Sequence, residues 1–128
     1  MKLGVVLFAH GSRDPEWSRP FESVASILSQ NFLVTVAYLE LMRPTLAEAV
    51  AALAAAGANS IHVIPMFFGQ GGHVKEDLPR LVSELGRAHG DLELVLGKPI
   101  GEDPAVIEAI AGAIAAGIPS PRGSARRS

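Results

Sequence analysis

Three short, nearly continuous apolar runs, each followed by a stretch with helical spacing, constrain this chain most. They are residues 3–9 (LGVVLFA), 33–41 (LVTVAYLEL) and 61–68 (IHVIPMFF). Their β-branched content and short length suit strands rather than buried helices. Runs that stay apolar at successive positions, without polar alternation, belong to strands covered on both faces, as in a parallel sheet. A fourth, shorter run at 92–96 extends the series.

The intervening segments read as helices. Phe21, Val24, Ala25, Leu28 and Phe32 recur at helical spacing, which predicts a helix over 16–31. Thr45-Leu46-Ala47-Glu48 has the form of a capping box, and Gly57 supplies a stop. A third helix is expected over 74–88, with Leu78, Leu81, Val82 and Leu85 on one face and Pro79 in its first turn. Asp103-Pro104 reads as an N-cap with proline at the first helical position, opening a last helix to about residue 116. The recurrence of about 30 residues is the period of a βαβ unit. The expected fold is therefore α/β: one three-layer α/β/α domain over residues 1–117, with a four-stranded parallel sheet in the order 2-1-3-4. Residues 118–128 are rich in Gly, Pro, Ser and Arg and are expected to form a disordered basic tail.

In such a sheet all strands end on one edge, and ligands bind in the crevice there. His10 follows the first run, Glu40 lies at the end of the second, and His73 follows the third after Gly69-Gln70-Gly71-Gly72. Neighbouring strands lie about 4.8 Å apart, so two imidazoles and one carboxylate can converge without any long-range accident. That donor set suits a divalent transition metal. The chain has no Cys, so thiolate sites and disulfides are excluded. Arg13, Arg43 and Lys75 are cations near the same edge, able to meet carboxylates or phosphates, or to remain solvated. Gly71 and Gly72 would let a ligand approach the backbone. His62 lies mid-strand between Ile61 and Val63 and reads as structural. His89 precedes Gly90 at a helix end and also reads as structural.

Other chemistries lack support. There is no P-loop, and the glycines after the first strand do not form a dinucleotide fingerprint. Ser12 lies near His10 but outside any Gly-x-Ser-x-Gly elbow. Through Gly117 the chain has 8 Lys and Arg against 13 Asp and Glu, a balance of −5 that argues against nucleic acid as a partner. No run is long enough to span a bilayer and no leader pattern opens the chain, so a cytoplasmic location is expected.

Three motifs resemble a known family. They are Ala9-His10-Gly11-Ser12-Arg13-Asp14-Pro15; Tyr38-Leu39-Glu40-Leu41 followed by Pro44-Thr45-Leu46; and Pro65-Met66-Phe67-Phe68 leading into Gly71-Gly72-His73-Val74-Lys75-Glu76-Asp77-Leu78-Pro79. In this order and spacing they resemble the small, single-domain sirohydrochlorin cobaltochelatases of the CbiX type, within the class II chelatase superfamily. The resemblance covers about residues 3–116. It implies ATP-independent insertion of a divalent metal into sirohydrochlorin, a tetrapyrrole with eight carboxylates, in cobalamin biosynthesis. Co²⁺ is the preferred metal substrate, with Fe²⁺ or Ni²⁺ as alternatives and no permanently bound cofactor. The family's metal-site histidines correspond to His10 and His73, and its acidic active-site residue to Glu40. Ser12, Arg13, Arg43, Gly71, Gly72 and Lys75 are the expected substrate contacts. Small members of this kind are expected to pair as homodimers, with the substrate cleft between subunits. His62, where an apolar residue would be usual, and the basic tail depart from the pattern. Alternatives are a sirohydrochlorin ferrochelatase for sirohaem, a non-catalytic metal-binding carrier, and a histidine-based hydrolase, although Ala9 stands where histidine phosphatases need Arg. A purely structural α/β subunit is a further alternative.

Overall fold

The structure, a computed structural model, describes residues 2–69 and 71–119, apart from the His73 side chain. The expected tail lies outside these residues from Ser120 onward. Four strands, β1 (Leu3–Ala9), β2 (Leu33–Tyr38), β3 (Ser60–Pro65) and β4 (Glu93–Leu96), form one sheet in the order β2-β1-β3-β4. Every pairing is parallel. The helices are α1 (Arg19–Leu28), α2 (Leu46–Ala55), α3 (Gly72–Ala88) and α4 (Pro104–Gly117), with 3₁₀ turns at Pro15–Ser18 and Ile100–Glu102.

Strand alternation assigns the two faces. Val6 and Phe8 of β1 and Ile61 and Val63 of β3 point to one side, where they pack with Leu46, Val50 and Leu53 of α2 and Leu78 and Val82 of α3. This is the main core. Gly4 sits under α2, where a Cβ would touch Ile61, Ala58 and Leu53 at 3.0–3.3 Å. On the opposite face Val5 and Leu7 look toward Val24 and Leu28 of α1. That helix packs mainly over β2, with Trp17 and Phe21 in contact at 4.8 Å and Trp17 against Tyr38 at 6.3 Å between ring centroids. The sheet thus has a layer on each side, but α4 is not part of either; its main contact is the preceding 3₁₀ turn.

Several boundaries differ from expectation. β2 stops at Tyr38 because its last partner is Ala9, where β1 itself ends. β3 stops at Pro65, paired with Phe8, since proline brings no N–H to the ladder. The first helix is split: Asp14 caps the 3₁₀ turn by accepting from the Glu16 N–H at 3.0 Å, and Ser18 then opens α1. α3 begins at Gly72, two residues early. Pro79 is consequently inside the helix and not in its first turn. The capping box on α2 forms in full, and Gly57 adopts φ 106° at its end. Among the described residues no helix is long and apolar enough to cross a membrane.

Candidate functional site

The C-terminal edge of the sheet carries three consecutive loops, after β1, β2 and β3. His10 is the first residue past β1. Its exposed imidazole lies over the ring of buried Phe67, with centroids 4.3 Å apart and planes at 32°. Phe67 in turn meets Phe8 edge-on at 6.1 Å. An aromatic column rooted in the core therefore supports the first histidine. Sequence reading missed Phe67; the inward positions 61, 63 and 65 continue to 67 with period 2, and that alternation was the available signal.

The loop after β2 is tied to the loop after β1 by backbone alone. Leu39 N–H donates to Ala9 O at 2.9 Å and Glu40 N–H to His10 O at 3.0 Å. Gly11 makes this possible. Its φ is 104°, and a Cβ there would collide with the Glu40 carbonyl. Glycine freedom is thus required at Gly11, not at Gly71, whose φ is −69°. The Glu40 side chain is exposed. Leu41 next to it holds φ 69°, a left-handed backbone that costs a leucine about 1–2 kcal/mol. Such outliers concentrate at functional loops.

His73 is the second residue of α3, so the helix starts within the glycine loop. Its side chain lies outside the described residues, as does Gln70. Gly71 is the N-cap and Gly72 the first helical residue, and both are open. Gly71 offers no side-chain cap to the first turn of α3, and the opening N–H groups of a helix favour an anion. Lys75 in that first turn and Arg13 in the first loop are exposed. Among the described residues no group of three His, Asp or Glu forms a ready metal cage.

Two expected substrate contacts are engaged elsewhere. Ser12 Oγ accepts the Asp14 N–H at 3.0 Å and shapes the turn into the 3₁₀ segment. The Arg43 guanidinium is paired with Glu48, with Nε at 3.2 Å from Oε1 and Nη2 against Oε2. The pair lowers Glu48 to about 2, chiefly through that side-chain bond with help from the Thr45 backbone N–H, and raises Arg43. Beneath the rim, burial raises the Tyr38 hydroxyl.

The rim is apolar as well as basic. Leu39, Leu41 and Phe68 are all exposed on these loops, and Phe68 is 74% accessible. Behind Phe68 stands the 3₁₀ turn: Gly101 N–H donates to Phe67 O at 2.9 Å, and a Cβ on Gly101 would run into the Phe68 backbone.

The CbiX family model matches residues 4–116. The chain belongs to the CbiX family. A relative from Saccharolobus islandicus, a sirohydrochlorin cobaltochelatase, is 38% identical over 115 residues, covering 84% of this chain and 90% of the relative. A solved structure of a cobalamin-biosynthesis CbiX protein from Marinobacter aquaeolei VT8 superposes with a TM-score of 0.78 at 30% identity, covering 89% of this chain and 95% of that one. The sirohydrochlorin chelatase SirB of Bacillus subtilis, solved with cobalt, shares the fold at a TM-score of 0.75 and 24% identity. This CbiX-family chain covers 91% of its own length in that match but 51% of SirB.

Proposed function

We propose that this chain inserts a divalent metal ion, Co²⁺ by preference, into sirohydrochlorin without ATP. The observation that carries the reading is the meeting of three loops at one sheet edge. It brings His10 and the Glu40 backbone into contact and starts α3 at the glycine loop that bears His73. The relatives' activity fits this arrangement.

The reaction exchanges M²⁺ for two protons on ring nitrogens. His10 and His73 are assigned to hold the metal substrate while leaving positions open to the incoming ring nitrogens. Imidazole can share in proton removal, and Glu40 serves as ligand or proton acceptor. Being exposed, His10 and Glu40 can give up the metal once the ring has taken it. A large flat macrocycle suits the exposed Leu39, Leu41 and Phe68, which offer apolar contact to its face. Arg13 and Lys75 neutralise its peripheral carboxylates. Gly71 and Gly72 allow close backbone approach. Ser12 acts through the shape of its loop, and Arg43 meets substrate only by exchanging Glu48 for a substrate carboxylate. The chain acts as a homodimer in this reading.

The test is an absorbance assay of sirohydrochlorin with Co²⁺, Fe²⁺ and Ni²⁺ in turn. Saturable, protein-dependent conversion without ATP supports the reading. Metal binding without tetrapyrrole turnover would replace it with a carrier.

A further inference from the structure

Two of the ion pairs among the described residues are single contacts between residues three apart: Arg19 with Glu16 at 3.3 Å and Arg80 with Asp77 at 3.5 Å. Arg43 with Glu48 differs in kind. Its Nε lies 3.2 Å from Glu48 Oε1 and its Nη2 meets Oε2, so the guanidinium grips the carboxylate at two points. This fork is the geometry by which arginine recognises carboxylates in general.

The pair is more than the fold requires. Glu48 belongs to the α2 capping box: its Oε1 accepts the Thr45 N–H at 2.9 Å, and Thr45 Oγ accepts the Glu48 N–H at 3.2 Å. That role needs one side-chain oxygen, and glutamine fills it as glutamate does. The negative charge and Oε2 serve Arg43. When Arg43 leaves, Oε1 keeps the Thr45 N–H and Oε2 takes water.

The cation is also held close to the rim. Arg43 is three residues past Glu40, at most about 11 Å of chain. Glu40 N–H donates to His10 O on one side of the loop, and Tyr38 N–H donates to Pro44 O at 2.9 Å across its base. The Arg43 side chain is 80% exposed. A macrocycle centred on His10 and Glu40 carries its carboxylates on its periphery, and this separation suits a peripheral group, not the ring centre.

We propose that Glu48 is a resident competitor for the Arg43 fork: a peripheral carboxylate of the tetrapyrrole displaces Glu48 on binding, and Glu48 displaces that carboxylate on release. The inference rests on the chelatase reading and deepens it, making Glu48 a positioning residue that sets substrate affinity through Arg43. One carboxylate replaces another, so the guanidinium stays paired and no buried charge is stranded. Exposed ion pairs are weak enough to exchange. Apparent affinity is scaled down by the fraction of chains whose Arg43 is free. Metal insertion leaves the peripheral carboxylates unchanged, so the competition acts equally on product and favours its release.

Metal-free sirohydrochlorin, and separately its cobalt product, are titrated by absorbance into wild type, Glu48→Gln, Arg43→Gln and the double variant. Glu48→Gln keeps the capping box, and its urea midpoint should stay close to wild type. It should bind both ligands about two- to fivefold more tightly, the range expected for freeing a cation from an exposed pair. KM should fall by the same factor without a rise in kcat. Arg43→Gln should bind both ligands more weakly, and the double variant should match Arg43→Gln, because the competitor then has nothing to hold. Equal or weaker binding by Glu48→Gln would overturn the proposal, as would a tightening that persists without Arg43. A wild type that binds in this pattern but inserts no metal would support the exchange and remove the insertion reading. One that binds no tetrapyrrole would overturn both.

Discussion

Gly11 shows how one residue fixes the geometry of two loops. Its positive φ places its peptide against the Glu40 carbonyl, and the two rim loops then bond through their backbones. Gly11→Ala adds both a left-handed backbone penalty and a collision. It should destabilise the protein by roughly 2 kcal/mol and lower chelation, read by urea unfolding and initial rates. Gly101→Ala acts from the opposite side. Its Cβ has no room beside Phe68, so a loss of about 1–3 kcal/mol is expected. Activity should fall further than stability alone explains, because Phe67 carries His10. An unchanged rate in Gly101→Ala would show that the aromatic column does not position the imidazole. The places of His10 and Glu40 on the rim were legible in the sequence because a strand's end locates them. The roles of Gly11, Phe67 and Gly101 were not, because each depends on a contact with a distant segment. Arg43 was legible as a cation near the rim, while Glu48 was read only as the capping-box carboxylate and not as its partner.

At the scale of elements, hydrophobic runs located every strand, and capping signals located α2 and α4. The strands' ends were less legible, since Leu39, Leu41, Phe67 and Phe68 continue the apolar pattern after the neighbouring strand has run out. The start of α3 had no local signal because Gly71 caps without a side chain. The α2 cap allows two tests. Thr45→Ala removes the hydroxyl that accepts the Glu48 N–H at 3.2 Å and should cost about 1 kcal/mol in chemical denaturation. Glu48 has a folded pKa of about 2, below its ordinary value, so the unfolded chain binds the proton more readily. Its stabilising contribution is present above the unfolded carboxylate range and is lost as pH falls toward 2. Thermal melts between pH 4.5 and pH 2 should show a steeper loss in wild type than in Glu48→Gln, and parallel curves would contradict the assignment. The effect is expected to be small because the pair is exposed.

Taken as a whole molecule, the chain is a small sheet with one complete face, one partly covered face and a chemically loaded edge. The order β2-β1-β3-β4 matches the flavodoxin-like order expected for this pattern, and it puts the loops bearing His10, Glu40 and His73 side by side. The projection of α4 away from both sheet layers was not legible, because an apolar helical pattern does not say against which surface a helix packs. The central claim is that the shared rim performs metal insertion, and one comparison tests it most directly. Co²⁺ insertion into sirohydrochlorin is followed by absorbance for wild type, His10→Ala and His89→Ala, the last altered at the far end of α3. The account predicts a fall of about 100-fold or more in His10→Ala, in line with losses on removing a group that acts on the proton or metal, and near-wild-type turnover in His89→Ala. Equal rates in wild type and a folded His10→Ala would contradict it.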